Sequence, residues 1–236
     1  MVGNKDRNVL LELVIQETAC QLDVDNWNNL LTNCTRPRLA LRKENDVNIK
    51  MTLHLYGGGR SRAVMPKWYM AEKQIDYHLI NLDMRGRQHK QPDYLKINPF
   101  GKLPSLVDDS TGISLFESGA ILLYLAEHYG QESANPKDKA LIVQWIAFAN
   151  ATLSPAIFVQ AVHERDFDGI MDVLNKFYED KNYLVGESWT AADCAVCAYL
   201  AYVPIFAKGT DLNRWPQVKR QTEETLNNAH YKAIMS

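Results

Sequence analysis

The chain has 236 residues, 46% of them apolar and 23% charged, the balance of a globular protein long enough for one large domain or two smaller ones. With 26 basic and 28 acidic residues the formal net charge is -2 and the basic residues are scattered, so neither nucleic acid nor an acidic membrane surface is implied as a partner. The four cysteines, Cys20, Cys34, Cys194 and Cys197, are too few for a disulfide scaffold and lack metal-site spacing, which fits a reducing, cytoplasmic setting with no bound metal.

Apolar runs read as shorter than the ~20 residues of a membrane span. The N-terminal segment has no basic-then-apolar signal pattern, and Asp6, Glu12, Glu17, Asp23 and Asp25 make it too acidic for a transit peptide. Residues 1–50 read as a loose or disordered extension: Val9 to Ile15 suits a short helix, and the stretch Asp25-Asn26-Trp27-Asn28-Asn29 reads as loop. Met51, just before the first strand, is a candidate alternative start.

From Met51 the pattern changes. Thr52 to Tyr56 reads as a strand ending at Gly57, Gly58 and Gly59. Ala63, Val64, Trp68, Tyr69 and Met70 recur at helical spacing, and Pro66 is tolerable there only in a first turn, so the helix must start near Ser61. Tyr77 to Leu82 is a second strand, Pro92 to Lys96 a short helix, and Leu103 to Val107 and Ile113 to Phe116 two strands around the turn Asp108 to Gly112. Ser118 opens a helix running to about Tyr129. A helix between the first two strands implies a parallel pair, and the later hairpin is antiparallel. This is the secondary-structure order of a thioredoxin-like α/β domain, 51–130.

A polar linker, 131–138, follows, and 139–236 reads as an all-helical domain. Ala140 to Leu153, Asp168 to Asp180, Ala191 to Tyr202 and Trp215 to Asn228 are its helices, with kinks or breaks at Pro155 and Pro204. Thr190 with Asp193 forms a capping-box variant at one of them. Cys194 and Cys197 lie inside that buried helix and read as small core residues rather than a redox pair.

Two motifs in each half carry a family resemblance. Asn98-Pro99-Phe100-Gly101-Lys102-Leu103-Pro104 followed by Leu115-Phe116-Glu117-Ser118-Gly119-Ala120-Ile121, and later Leu184-Val185-Gly186 before Thr190-Ala191-Ala192-Asp193, resemble cytosolic glutathione transferases. The segment Tyr56 to Ala63 is most similar to the bacterial chi class. The resemblance implies a glutathione transferase that conjugates the glutathione thiolate to small electrophiles. It implies a two-fold homodimer, no metal or other cofactor, and glutathione as cosubstrate. Alternatives on the same fold are a glutathione-dependent peroxidase or reductase and a non-catalytic binding module.

By the same resemblance Pro104 follows a cis bond that turns the Leu103 backbone toward a tripeptide. Ser118, with the N–H groups of its helix start, receives the γ-glutamyl carboxylate. Glu117 meets the ligand ammonium, and His89 and Lys102 lie near the glycine carboxylate. The thiol-activating group is sought after the first strand: Arg62 matches the chi-type arginine best, then Ser61, then Arg60. Tyr56 reads as a core ring rather than a donor. Gly59-Arg60-Ser61-Arg62 occupies the place of a thioredoxin CxxC, which excludes a dithiol mechanism there. Phe158, His163, Tyr199, Tyr202 and Phe206 are candidates for the wall of a second-substrate pocket.

Overall fold

A computed structural model of the chain describes residues 53–58, 61–132, 135–207 and 209–236. The expected extension 1–50, its short helix, Cys20, Cys34 and Arg60 lie outside the described residues.

The first half contains β1 (Leu53–Gly57), α1 (Val64–Glu72), β2 (His78–Asn81), α2 (Pro92–Ile97), β3 (Ser105–Asp108), β4 (Ile113–Phe116) and α3 (Ser118–His128). The sheet order is β2-β1-β3-β4, with β1 and β2 parallel and the other pairs antiparallel, as the helix-linked and hairpin-linked spacings require. Together with the helical half, this is the expected thioredoxin-like domain plus all-α domain. Strand bounds differ by a residue or two from the sequence reading; β3 begins at Ser105 because the chain turns at Pro104.

Along β1 the burial alternates, with Leu53 and Leu55 in the core. Tyr56 therefore falls on the opposite, half-buried face, where its ring meets Tyr94 at 5.7 Å, correcting its expected core position. Helix α1 starts at Val64, with Pro66 in its first turn, so no intrahelical bond is lost. Its buried side, including Trp68, Tyr69 and Met70, packs on α3 and on the helical half.

The second half begins at Pro136, inside the stretch read as linker, because Asn135 caps the helix by accepting from the Asp138 N–H. Helix α4 (Pro136–Phe148) runs into a π-turn (Ala149–Leu153) and then α5 (Ser154–Phe158). The expected break at Pro155 is thus a widened turn just ahead of it, where the missing proline N–H removes a regular bond. Taken together, Pro136–Phe158 is 23 residues of continuous helix, long and apolar enough by length and composition to cross a membrane. This corrects the reading of short apolar runs, but Ile142, Trp145, Ile146, Ala149 and Leu153 are buried in the molecule, as in a core helix.

Helix α6 (Gln160–Phe177) starts earlier than Asp168; then come α7 (Ala191–Leu200), α8 (Val203–Phe206), α9 (Pro216–Asn227) and α10 (Ala229–Met235). The sequence reading missed α10, which Asn228 caps by accepting from the Tyr231 N–H. All ten residues of α7 are buried, so it is the central helix of this half. Its start is tightly built. Asp193 accepts from the Leu184 N–H at 2.8 Å and the Thr190 N–H at 2.9 Å, while the Thr190 hydroxyl donates to it at 3.0 Å. Glu132 accepts from the Ala191 N–H at 2.8 Å and pairs with Lys73 at 2.7 Å, fastening the first half to the helix start. Cys194 and Cys197 are free and buried, and burial pushes the Cys197 thiol up to about 12, so neither is a ready nucleophile.

Candidate active site

The cavity that matters is built from loops at one end of the sheet. At the end of β1 the Gly57 carbonyl accepts from the Leu82 N–H at 2.8 Å. A Cβ on Gly58 would stand 2.6 Å from the Leu82 carbonyl oxygen, so only glycine lets these chains lie together. The chain then rises to Ser61 and Arg62 ahead of α1. The Ser61 hydroxyl accepts from the Ala63 N–H at 3.3 Å, a local turn that fixes the approach to the helix.

A second loop supplies the opposite wall. Buried Asn98 donates through Nδ2 to the Lys102 carbonyl at 2.8 Å, and the Tyr94 hydroxyl donates to the same oxygen at 2.6 Å. Gly101 has φ 55°, and a Cβ there would meet the His89 carbonyl at 2.6 Å, so this turn packs directly on the 3₁₀ turn Gln88–Lys90. His89 is thereby placed beside Lys102 and Leu103. The Leu103–Pro104 bond is cis.

The third wall is the start of α3. Glu117 has φ 69° and ψ 118°, a backbone state that L side chains rarely adopt and that costs on the order of 1–3 kcal/mol. It makes the abrupt turn from β4 into the helix. The first intrahelical bond is from the Ile121 N–H to the Glu117 carbonyl, so the N–H groups of Ser118, Gly119 and Ala120 precede the ladder. The Glu117 side chain is exposed, whereas Ser118 is buried.

These walls enclose a cavity of about 580 Å³. Ser61, Arg62, His89, Lys102, Leu103, Pro104, Glu117 and Ser118 all line it, so the structure brings together every predicted site residue that it describes. His89 Nδ1 is buried without a hydrogen-bond partner among the described residues. Arg62 is exposed, and no carboxylate lies within ion-pair distance of it among the described residues.

Beyond Arg62 stands an aromatic cluster. The Phe158 ring lies 5.0 Å from Phe206, 5.7 Å from Tyr202 and 6.1 Å from Tyr199, centre to centre. Phe158 and Phe206 are exposed, while Tyr199 is buried behind them. His163 is different: its Nδ1 is 2.8 Å from the Ala156 carbonyl and its ring packs on Phe167, so its recorded contacts tie the α5–α6 junction rather than join this cluster.

Met84 and Lys90 of the cavity lining escaped the sequence reading, as did two residues of the helical half that hold its side chains from behind. Asn150 Oδ1 accepts from the Tyr199 hydroxyl at 2.9 Å and from the Ser118 hydroxyl at 3.4 Å; Ser154 accepts from Arg62 Nη2 at 3.1 Å. The available signal for Asn150 and Ser154 was a polar pair four residues apart, one helical turn, in the largely apolar stretch Trp145 to Phe158.

A crevice walled by backbone groups and a helix start, with Arg62 outside ion-pair distance of every described carboxylate, suits a small anionic peptide-like ligand. The family model for the glutathione S-transferase N-terminal domain matches residues 51–127, and the model for its C-terminal domain matches 159–228. The chain is 30% identical over 187 residues to disulfide-bond oxidoreductase YfcG of Escherichia coli, covering 70% of this chain and 79% of that protein. It is 26% identical to glutathione transferase F7 of Populus trichocarpa, whose crystal structure it matches with a TM-score of 0.68 over 78% of this chain and 99% of that one. Glutathione transferase URE2P8 of Phanerochaete chrysosporium, solved with oxidized glutathione, shares the fold at 20% identity, with a TM-score of 0.68 over 77% of this chain and 92% of that one. With both domain models matched in order along one chain, this protein belongs to the glutathione S-transferase family.

Proposed function

We propose that the protein binds glutathione in this cavity and transfers its thiolate to an electrophilic carbon of a small, largely apolar substrate. The observation that carries the reading is Arg62: a guanidinium with no carboxylate partner among the described residues, standing between the peptide-like crevice and the aromatic cluster. The γ-glutamyl carboxylate meets the Ser118 hydroxyl and the open N–H groups at the start of α3, where the helix end favours an anion. Glu117 takes the ammonium group, the Leu103 backbone pairs with the cysteinyl unit, and His89 and Lys102 face the glycine carboxylate. A free thiol has a pKa near 8.5, and lowering it by about two units requires about 2.7 kcal/mol of preference for the anion. Arg62 supplies about half of that preference as a charge, and Ser61 adds a hydroxyl donor. The thiolate then attacks the electrophilic carbon, forming a C–S bond while the leaving group departs with the bonding pair. The chi-class resemblance is part of this proposal because it points to the same arginine.

Calorimetric titration of the full chain with glutathione, followed by a chloronitrobenzene conjugation assay on the same sample, tests the reading. Binding with turnover supports it; absence of binding by a folded sample overturns it.

A second reading is glutathione-dependent reduction of disulfides. The 30% identical relative named as a disulfide-bond oxidoreductase favours it. No cysteine lines the cavity among the described residues, so glutathione would provide the thiols. Reduction of a small mixed disulfide, assayed beside conjugation, ranks the two activities. We also propose a homodimer: Gly119, Ala120 and Leu123 of α3 and Val143, Ile146 and Ala147 of α4 line an open apolar groove that a second copy would cover. Sedimentation at micromolar concentration checks this.

A further inference from the structure

We propose that Ser154 is a positioning residue for Arg62, so that ionisation of bound glutathione is governed by a hydroxyl of the helical half. The inference rests on Arg62 being the thiol-activating group.

Arg62 lies on the short approach to α1, and its side chain is exposed. An untethered arginine spreads its charge over many rotamers and loses side-chain entropy when held in one. Among the described residues two contacts hold it, both from across the domain boundary. Nη2 donates to Ser154 Oγ at 3.1 Å, and the guanidinium carbon stands 5.8 Å from the centre of the Tyr199 ring. Neither contact neutralises the charge. A carboxylate in the place of Ser154 would orient the guanidinium equally well but would offset the field that a thiolate needs. A neutral acceptor under one N–H leaves the other four donors of the guanidinium for the cavity.

Ser154 is 2% exposed, and a hydroxyl so placed needs a partner. Its position follows from the π-turn Ala149–Leu153, which directly precedes it. That turn is steadied by Asn150, whose Nδ2 donates to the Ile146 carbonyl at 3.0 Å while its Oδ1 accepts from Tyr199 and from Ser118. The same widened turn therefore reaches both ends of the proposed ligand: Ser154 through Arg62 at the thiol, Asn150 through Ser118 at the γ-glutamyl carboxylate. π-Turns inside α-helices are found frequently at functional sites.

The test uses the full chain and measures two quantities for each variant: the apparent pKa of the bound glutathione thiol, from the pH dependence of thiolate absorbance in the ultraviolet, and the Kd for glutathione by calorimetry. Arg62→Ala is expected to raise the thiol pKa by about one unit, a tenfold loss of thiolate below the pKa. Ser154→Ala is expected to raise it by about half a unit, about threefold less thiolate, while Kd moves less than about twofold. The double variant should match Arg62→Ala alone, and Ser154→Thr, which keeps the hydroxyl, should restore the wild-type value. An unshifted pKa in Ser154→Ala beside a shifted one in Arg62→Ala overturns the inference and leaves the arginine assignment standing. A Ser154→Ala shift that adds to that of Arg62→Ala overturns it as well. If Arg62→Ala itself leaves the pKa unmoved, the arginine assignment fails and the inference falls with it. A loss of cooperative unfolding in Ser154→Ala would make the residue structural and also count against it, with Ser154→Thr then the variant that separates shape from hydrogen bonding.

Discussion

The two halves of the molecule contribute to the site in different ways. The α/β half offers backbone (the loop around Leu103, the N–H groups at the start of α3, and close approaches that only Gly58 and Gly101 permit) together with polar and charged side chains such as Arg62, His89, Lys102 and Ser118. The helical half offers only side chains, Phe158, Tyr199, Phe206, Asn150 and Ser154. Backbone geometry is fixed by short-range constraints and suits an invariant ligand. Side chains on helices are exchangeable without disturbing the fold, and suit the part of the reaction in which substrates differ. The comparison predicts that substitutions in one half change glutathione binding and those in the other change what is conjugated, with the framework of each half separable from both.

The largest effect is expected at the framework of the helical half. Asp193→Ala leaves the buried N–H groups of Leu184 and Thr190 without their acceptor, a cost on the order of 3 kcal/mol that urea unfolding should detect. The same carboxyl has a pH signature. Burial raises its pKa to about 6, with the hydrogen bonds to Leu184 and Thr190 working in the opposite direction. Its unfolded value is about 3.9, so the folded state holds the proton more tightly. The associated stability is present in full below about pH 4 and is lost as pH rises through about 6. Subtracting the stability profile of Asp193→Asn from that of wild type should expose this slope between those limits, and a flat difference would show the carboxyl unperturbed.

Next in size comes the thiol-activating contact. Arg62→Ala should cost about 1.4 kcal/mol of thiolate stabilisation, lowering conjugation at neutral pH about tenfold and much less at high pH, where the thiol ionises unaided. Retention of full neutral-pH activity would move the role to Ser61 or Arg60. Ser118→Ala tests the α/β half. It should weaken glutathione binding by about 1 kcal/mol, about fivefold, with the thiol pKa unmoved; an unchanged Kd would remove Ser118 from the ligand contacts. If instead both variants altered Kd and pKa together, the division of labour would collapse into one coupled network through Asn150.

How legible each half was follows from the range of its interactions. The element order and the turn at Asp108 to Gly112 could be read because each depends on neighbours within a few positions, and the wall residues from Asn98 to Ser118 because their motifs resemble a known family. Glu117 and Ser118 are adjacent, and Asn98 acts on a carbonyl four residues away. The contact from Arg62 to Ser154 spans 92 positions and exists only once the halves dock. The π-turn was hidden for a related reason: Pro155 announces a disturbance but not whether the helix breaks, bends or widens. Tyr56 was misread because an aromatic at a strand end satisfies the pattern of either face, and the register with β3 decides which. Helix α10 is seven residues of mixed character whose signal lies in its cap rather than its periodicity.

The smallest expected effect bears most directly on the substrate. Phe158 is 41% exposed and touches Tyr199, Tyr202 and Phe206 through ring contacts, so Phe158→Ala removes surface that is only partly committed to the core. Its stability cost should therefore fall below the 3–5 kcal/mol of a fully buried phenylalanine. The effect on substrate should be selective. An aromatic electrophile loses an edge or face contact worth about 0.5–1.5 kcal/mol, raising KM about two- to tenfold, whereas a small aliphatic electrophile of similar reactivity loses little. The Kd for glutathione should stay put, because no backbone group of the α/β half is touched. Equal losses for both electrophiles would mean that the aromatic cluster supports the fold near Arg62 rather than forming a wall for the second substrate. Loss confined to the aromatic one would identify the helical half as the element that chooses what the α/β half has prepared to react.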